Sequence, residues 1–174
     1  MRSEIRGKYV VDCACGHTDD VELFGSRAER DRRLAWLAGR PCGECRRKAR
    51  RHDAEERLRA LDAEVERLLD ELDGTPGLIG VGVELRRLAD CRGMRLDGTE
   101  RQVAWASRIR AEYVDDMVIH SARMALERPV DAAANVDRLV GLTDALIGRL
   151  RLARGASFWI DNRDALDMAL RRIE

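Results

Sequence analysis

Aromatic residues make up only 4% of these 174 residues, and proline occurs three times. A β-sandwich or barrel takes its core from aromatic and β-branched side chains and its corners from glycine and proline, so this composition argues against one. Charge of one sign is also lacking. Lys and Arg total 32 and Asp and Glu total 32, which leaves no global field to draw the molecule toward nucleic acid or membrane. No apolar run approaches the roughly 18 residues that span a bilayer, and the amino terminus lacks the apolar stretch of a signal peptide. A soluble, cytoplasmic protein without a membrane partner is expected.

What remains is a chain that is 37% charged, with arginine as nearly all of its basic residues; Lys8 and Lys48 are the only lysines. That is the composition of long solvated helices around an aliphatic interior, and the length suits one medium domain or two small ones. Five cysteines are present. Four fall in two close pairs, which favours a metal over a disulfide framework in a reducing compartment.

Lys8 to Cys13 and Thr18 to Phe24 alternate and are rich in β-branched residues, so they read as a hairpin with Cys13-Ala14-Cys15-Gly16-His17 at its tip. Gly16 permits the left-handed turn that aims backbone amides at a thiolate. Ser26 and Glu29 have capping-box spacing and open a helix over residues 27 to 39, placing Leu34 and Leu37 on one side, with Gly39 as its stop. Pro41 and Gly43 shape the turn that carries Cys42 and Cys45. Zinc takes about four soft ligands in a tetrahedron, and two turn-borne pairs provide them. The expected site is a closed, structural Zn2+ centre of Cys13, Cys15, Cys42 and Cys45. His17 in place of Cys13 is the alternative, because one residue between Cys13 and Cys15 is a tight gap. An iron-sulfur cluster is a further competitor.

The second turn, Pro41-Cys42-Gly43-Glu44-Cys45, also ends the zinc-deaminase signature. That chemistry needs an upstream His-x-Glu or Cys-x-Glu whose glutamate moves protons beside an open coordination position. Here Cys13-Ala14-Cys15 and His17-Thr18-Asp19 stand instead, so a non-catalytic centre is expected.

Residues 8 to 45 resemble the amino-terminal zinc-ribbon segment of a group of small bacterial and phage proteins. In that group a C-x-C-G-H turn precedes V-E-L-F-G, an arginine- and glutamate-rich helix and a closing C-x-x-C. Residues 98 to 110 and 158 to 163 resemble its later W-A-x-x-I-R and W-x-I-x-x-R segments. The resemblance implies metal ligands at Cys13, Cys15, Cys42 and Cys45 and brings no activity with it.

Beyond Cys45 the spacing predicts a helix from about Arg46 to Leu72 with a seam of Leu58, Leu61, Val65, Leu68 and Leu72. At under three heptads the seam is short for a coiled coil, so packing within the chain is favoured over a homodimer. The glycines between 74 and 82, with Pro76, mark a break, followed by a short helix over 83 to 90. Thr99 and Gln102 form a second capping box, opening a helix to about Glu127. Further helices are expected over 131 to 153 and from Ser157 onward. The fold class is therefore mainly α, a β-hairpin zinc ribbon followed by a helical bundle, divided as 1–52, 53–97 and 98–174.

No serine or cysteine nucleophile has a histidine base beside it, since His17 adjoins the metal turn, His52 lies in a basic helix and His120 sits mid-helix after Asp116. No catalytic residue is assigned. Cys91 reads as an inert thiol. Two partner surfaces are expected. Arg46, Arg47, Lys48, Arg50 and Arg51 cluster after the knuckle and either suit phosphates of DNA or RNA or form a solvated face that partly balances the charge of the thiolates. Trp105 with Arg108, and Trp159 with Arg163, suit a protein partner if they lie at the surface, though packing in the core is the commoner fate of such aromatics.

Overall fold

The structure, a computed structural model, describes residues 6 to 173. The chain divides into two compact units, Met1–Glu56 and Arg57–Glu174. It is mainly helical, with one small antiparallel hairpin at its amino-terminal end.

In the first unit, β1 (Arg6–Asp12) pairs with β2 (Thr18–Phe24) in a register that sets Val11 against Asp19 and Asp12 against Thr18. The strands' period of two buries alternate residues, and Val11 is 5% exposed while Val10 is 70% exposed. Helix α1 (Arg27–Ala38) starts at Ser26, whose hydroxyl accepts from the Glu29 amide while the Glu29 carboxylate accepts from the Ser26 amide at 2.7 Å. Helix α2 (Gly43–Gly74) starts three residues earlier than the spacing suggested, so Cys45 lies in its first turn. The Asp19 carboxylate explains this start: it accepts from the Gly43 amide at 2.9 Å and caps the helix with a negative charge.

The apolar interior of this unit is very small. Among its described residues only Val11, Cys13 and Cys42 are buried, with Val21, Leu34 and Leu37 half-buried around them. No residue of α1 is buried.

The second unit has a core of its own. Later turns of α2 bury Val65, Leu68, Leu69 and Leu72, so the expected seam packs within the chain. Helix α3 (Ile79–Ala89) follows, then a 3-10 turn (Asp90–Gly93) and α4 (Glu100–Glu127), capped by Thr99 and Gln102. Four short to medium helices complete it: α5 (Pro129–Ala134), α6 (Val136–Leu152), α7 (Ala156–Asp161) and α8 (Leu166–Arg171). Helix α3 packs on α4 and α6, and α4 on α7. A bridge between Asp97 and Gly155, with the Asp97 amide donating to the Arg154 carbonyl at 2.8 Å, ties the approach to α4 to the start of α7.

Three differences from expectation have local causes. Gly80 and Gly82 lie inside α3, because Leu78, Val81, Leu85 and Leu88 carry a helical stripe that is fully buried. The helix expected over 131 to 153 is two helices that meet at Asn135, and the last helix is broken after Asn162. Residues 57 to 97 share one core with the bundle, so the segment expected as a separate connector joins the second unit. Among the described residues no helix is long and apolar enough to cross a membrane.

Candidate metal centre

The metal turn is built by backbone hydrogen bonds. The Cys13 amide donates to the His17 carbonyl and the Gly16 amide to the Cys13 carbonyl, both at 2.9 Å, folding the tip into a tight loop with Gly16 at φ 77°. The Ala14 amide donates to the Arg40 carbonyl at 3.0 Å, which brings the second knuckle alongside. There the Cys42 amide points at Cys15 Sγ, 3.2 Å away, and the Cys45 amide at Cys42 Sγ, 3.4 Å away.

These bonds gather Cys15, His17, Cys42 and Cys45, whose donor atoms all lie within 4.8 Å of one another, a group that can hold a metal ion. Cys45 Sγ and His17 Nδ1 are 3.3 Å apart. A tetrahedral ion with bonds of about 2.0–2.3 Å separates neighbouring donors by roughly 3.5 Å, so the set fits such an ion, and three sulfurs with one imidazole are soft donors of the kind zinc takes.

Cys13 stands apart from this group, where the four-cysteine expectation had placed it. It follows Val11 onto the buried face of the hairpin, and its thiol is directed at the Val11 carbonyl at 3.7 Å. Burial pushes the Cys13 thiol up from its ordinary value, with the neighbouring Cys15 adding to the effect. Cys15 moves the other way, to about 6, chiefly because the Cys42 amide donates to its sulfur. Cys45 rises to about 11, chiefly through its contact with the Cys42 sulfur. Closely spaced sulfurs hinder one another's ionisation, which a cation relieves.

The residues singled out for nucleic acid emerge from this turn. Arg46 is half-buried near Cys13, where its charge opposes in small part the rise that burial imposes on that thiol, while Arg47, Lys48, Arg50 and Arg51 are exposed. Lys48 pairs with Glu44 at 3.3 Å; Arg46, Arg47, Arg50 and Arg51 form no ion pair among the described residues. In the second unit Arg67, Arg86, Arg87, Arg92 and Arg123 are paired with carboxylates, while others, among them Arg57, Arg95 and Arg138, are not paired among the described residues. Residues 27 to 51 carry ten basic side chains against three acidic ones.

The structure separates the two tryptophans proposed for a partner. Trp159 is fully buried, donates its indole N–H to the Ala153 carbonyl at 2.8 Å and packs against Tyr113 and Phe158. It is a core residue, placed there by the area it buries. Trp105 is 47% exposed, with the Arg163 guanidinium 5.9 Å from its ring centre. It lines an open cleft of about 630 Å3 together with Tyr113, Arg163 and the carboxylates of Glu112, Asp116 and Asp167. Arg108 is exposed on α4. Asp116 and His120 are not part of any cluster that would hold a metal among the described residues.

One feature of the first unit was not singled out from the sequence. Trp36, 42% exposed, has the guanidinium carbons of Arg33 and Arg40 at 4.2 and 4.4 Å from its ring centre. Part of the signal was available, since Arg33 stands three before Trp36, the spacing that brings side chains together on a helix, whereas Arg40 lies past the end of α1.

No protein-family model matches the chain, and no curated protein or solved structure is significantly similar to it.

Proposed function

We propose that the protein is a non-catalytic, zinc-stabilised nucleic-acid-binding module. Cys15, His17, Cys42 and Cys45 hold the ion. Four protein donors complete a tetrahedron and leave no position for a reacting water, which distinguishes a structural from a catalytic centre. The need for an ion follows from the size of the first unit's interior: three buried side chains do not offset the ordering of some fifty residues. The observation that carries the nucleic-acid reading is the row of Arg46, Arg47, Arg50 and Arg51 leaving the metal turn without carboxylate partners. Lys48 stands in the same row, and its exposed pair with Glu44 is weak enough to yield to a phosphate. Arginine presents a fixed fork that matches phosphate oxygens.

The test is binding of fluorescent DNA and RNA by zinc-loaded protein across a salt series. Each phosphate contact contributes a slope of about −0.7 to −0.9 in log K against log salt. Changing Arg46, Arg47 and Arg50 to alanine is expected to flatten that slope by roughly two to three. Binding indifferent to salt and to the triple change would refute the reading.

The Trp105 cleft favours a second reading, a protein-binding adaptor or inhibitor of phage or mobile-element origin. It requires a stoichiometric partner that survives nuclease treatment and is lost on Trp105→Ala.

A further inference from the structure

The Trp36 stack lies on the metal-bearing unit and outside the arginine row of α2. Two guanidinium groups share one half-exposed indole, each at a distance at which cation–π attraction holds it in place. Neither Arg33 nor Arg40 forms an ion pair among the described residues. The acidic side chain that lines the recess, Glu29, already accepts from the amide and the hydroxyl of the Ser26 cap. A recess of about 290 Å3 opens beside the indole, lined by Glu29, Arg32, Arg33 and Trp36. The stack is also anchored to the metal turn, because the Arg40 carbonyl receives the Ala14 amide at 3.0 Å between the two cysteines of the hairpin tip.

An arginine neutralised by a carboxylate has no need of a ligand, and a solitary exposed arginine is disordered. These two are neither. Their guanidinium carbons lie over the ring, and among the described residues no ion pair engages their N–H groups, which leaves N–H edges and flat guanidinium surface to a ligand. Phosphate matches the edges, and a nucleobase matches the flat face. A base offers its face only when it is unpaired, so the same chemistry selects single strands over duplex.

Building on the nucleic-acid reading above, we propose that Arg33, Trp36 and Arg40 form a stacking site for an unpaired nucleotide, making the first unit a binder of single-stranded DNA or RNA. The arginine row from Arg46 to Arg51 then follows the neighbouring phosphates.

The experiment compares the zinc-loaded full chain on labelled single strands of about 12 nucleotides and on the matched duplex, at about 0.1 M salt, by fluorescence anisotropy. The wild type is expected to bind the single strand roughly 10-fold tighter than the duplex. Trp36→Ala is expected to cut single-strand affinity roughly 10-fold while leaving duplex binding unchanged, and Trp36→Phe to keep most of it. The double change Arg33→Gln with Arg40→Gln, which leaves the ring in place, is expected to lose single-strand preference as well. An unchanged zinc-to-protein ratio in each variant shows that the unit is intact. Wild-type single-strand affinity in both Trp36→Ala and the double variant overturns the stacking site, as does an equal loss on both nucleic-acid forms. So does poly-glutamate competing as well as an oligonucleotide. If the stacking variants bind normally while the Arg46, Arg47, Arg50 triple variant fails, this site alone falls; if the wild type binds neither form, the nucleic-acid reading falls with it.

Discussion

Cys13 and His17 bracket the same turn and play opposite parts in it. The amide of one donates to the carbonyl of the other, yet the hairpin's register sends the Cys13 thiol inward to the Val11 carbonyl and the His17 ring outward to Cys45. Substitution separates the roles. His17→Ala is expected to weaken metal affinity by more than the roughly 10- to 100-fold that loss of an outer-shell partner costs. Cys13→Ser should keep a full complement of metal and lower stability by about 1–2 kcal/mol, because a hydroxyl is harder to bury than a thiol. Metal-to-protein ratios by elemental analysis, with denaturation midpoints, distinguish the two; metal lost from Cys13→Ser and kept in His17→Ala would restore the four-cysteine set.

A second residue of note lies in the helical unit. Asp115 is 2% exposed, and Arg92 sits 3.2 Å from its Oδ1 without hydrogen-bond alignment, leaving that oxygen unsatisfied. Burial pushes its carboxyl up to about 6, and the Arg92 charge only partly opposes this. A carboxyl raised in the folded state favours folding below its unfolded value, near 4, and that contribution is lost as pH rises to about 6. Asp115→Asn should therefore flatten stability across this window and raise it at pH 7 by on the order of 2 kcal/mol, as read from urea midpoints at pH 4, 5, 6 and 7.

Among the elements, those with explicit end signals were legible. Both capping boxes, Ser26 with Glu29 and Thr99 with Gln102, open helices where their spacing says. The breaks at 135 and 162 were not read, though they share a cause. They fall at the chain's only two asparagines, and in each the side-chain amide donates to the carbonyl four residues back, Asp131 for Asn135 at 2.7 Å and Phe158 for Asn162 at 2.8 Å. A side chain that takes the place of a backbone donor gives the chain a way out of the helix even where the apolar stripe continues. Glycine misled in the opposite direction, since Gly80 and Gly82 are helical and their neighbours' burial outweighs their propensity. Gly141 lies exposed within α6, and a Cβ built there meets nothing within 4 Å. Gly141→Ala should raise stability by up to about 1 kcal/mol, seen as a higher melting temperature. An unchanged or lower melting temperature would contradict this account of α6.

On the scale of the whole molecule, the units differ in what holds them. The second has an aliphatic core from Val65 to Leu170, whereas the first has three buried side chains around a cluster of thiols. Removing metal with a chelator should unfold the hairpin and α1 while most of the helical circular dichroism survives, and restoring zinc should reverse the change. Loss of all helical signal together, or a hairpin that persists without metal, would contradict it. The spacing of cysteines named Cys15, Cys42 and Cys45 from sequence. Choosing between Cys13 and His17 required the hairpin register, which spacing does not encode. Net charge hid the basic character of residues 27 to 51, because carboxylates elsewhere cancel it in the sum.

The three tryptophans fall so that each unit carries its own optical label. Trp36 alone belongs to the first unit, half in water with two cations against its ring; Trp159 is sealed in the second, with Trp105 at that unit's surface. Emission from a sealed indole is blue-shifted relative to a wet one. A Trp105→Phe background would therefore let one spectrum follow melting of the helical bundle at its blue edge and events at the knuckle at its red edge.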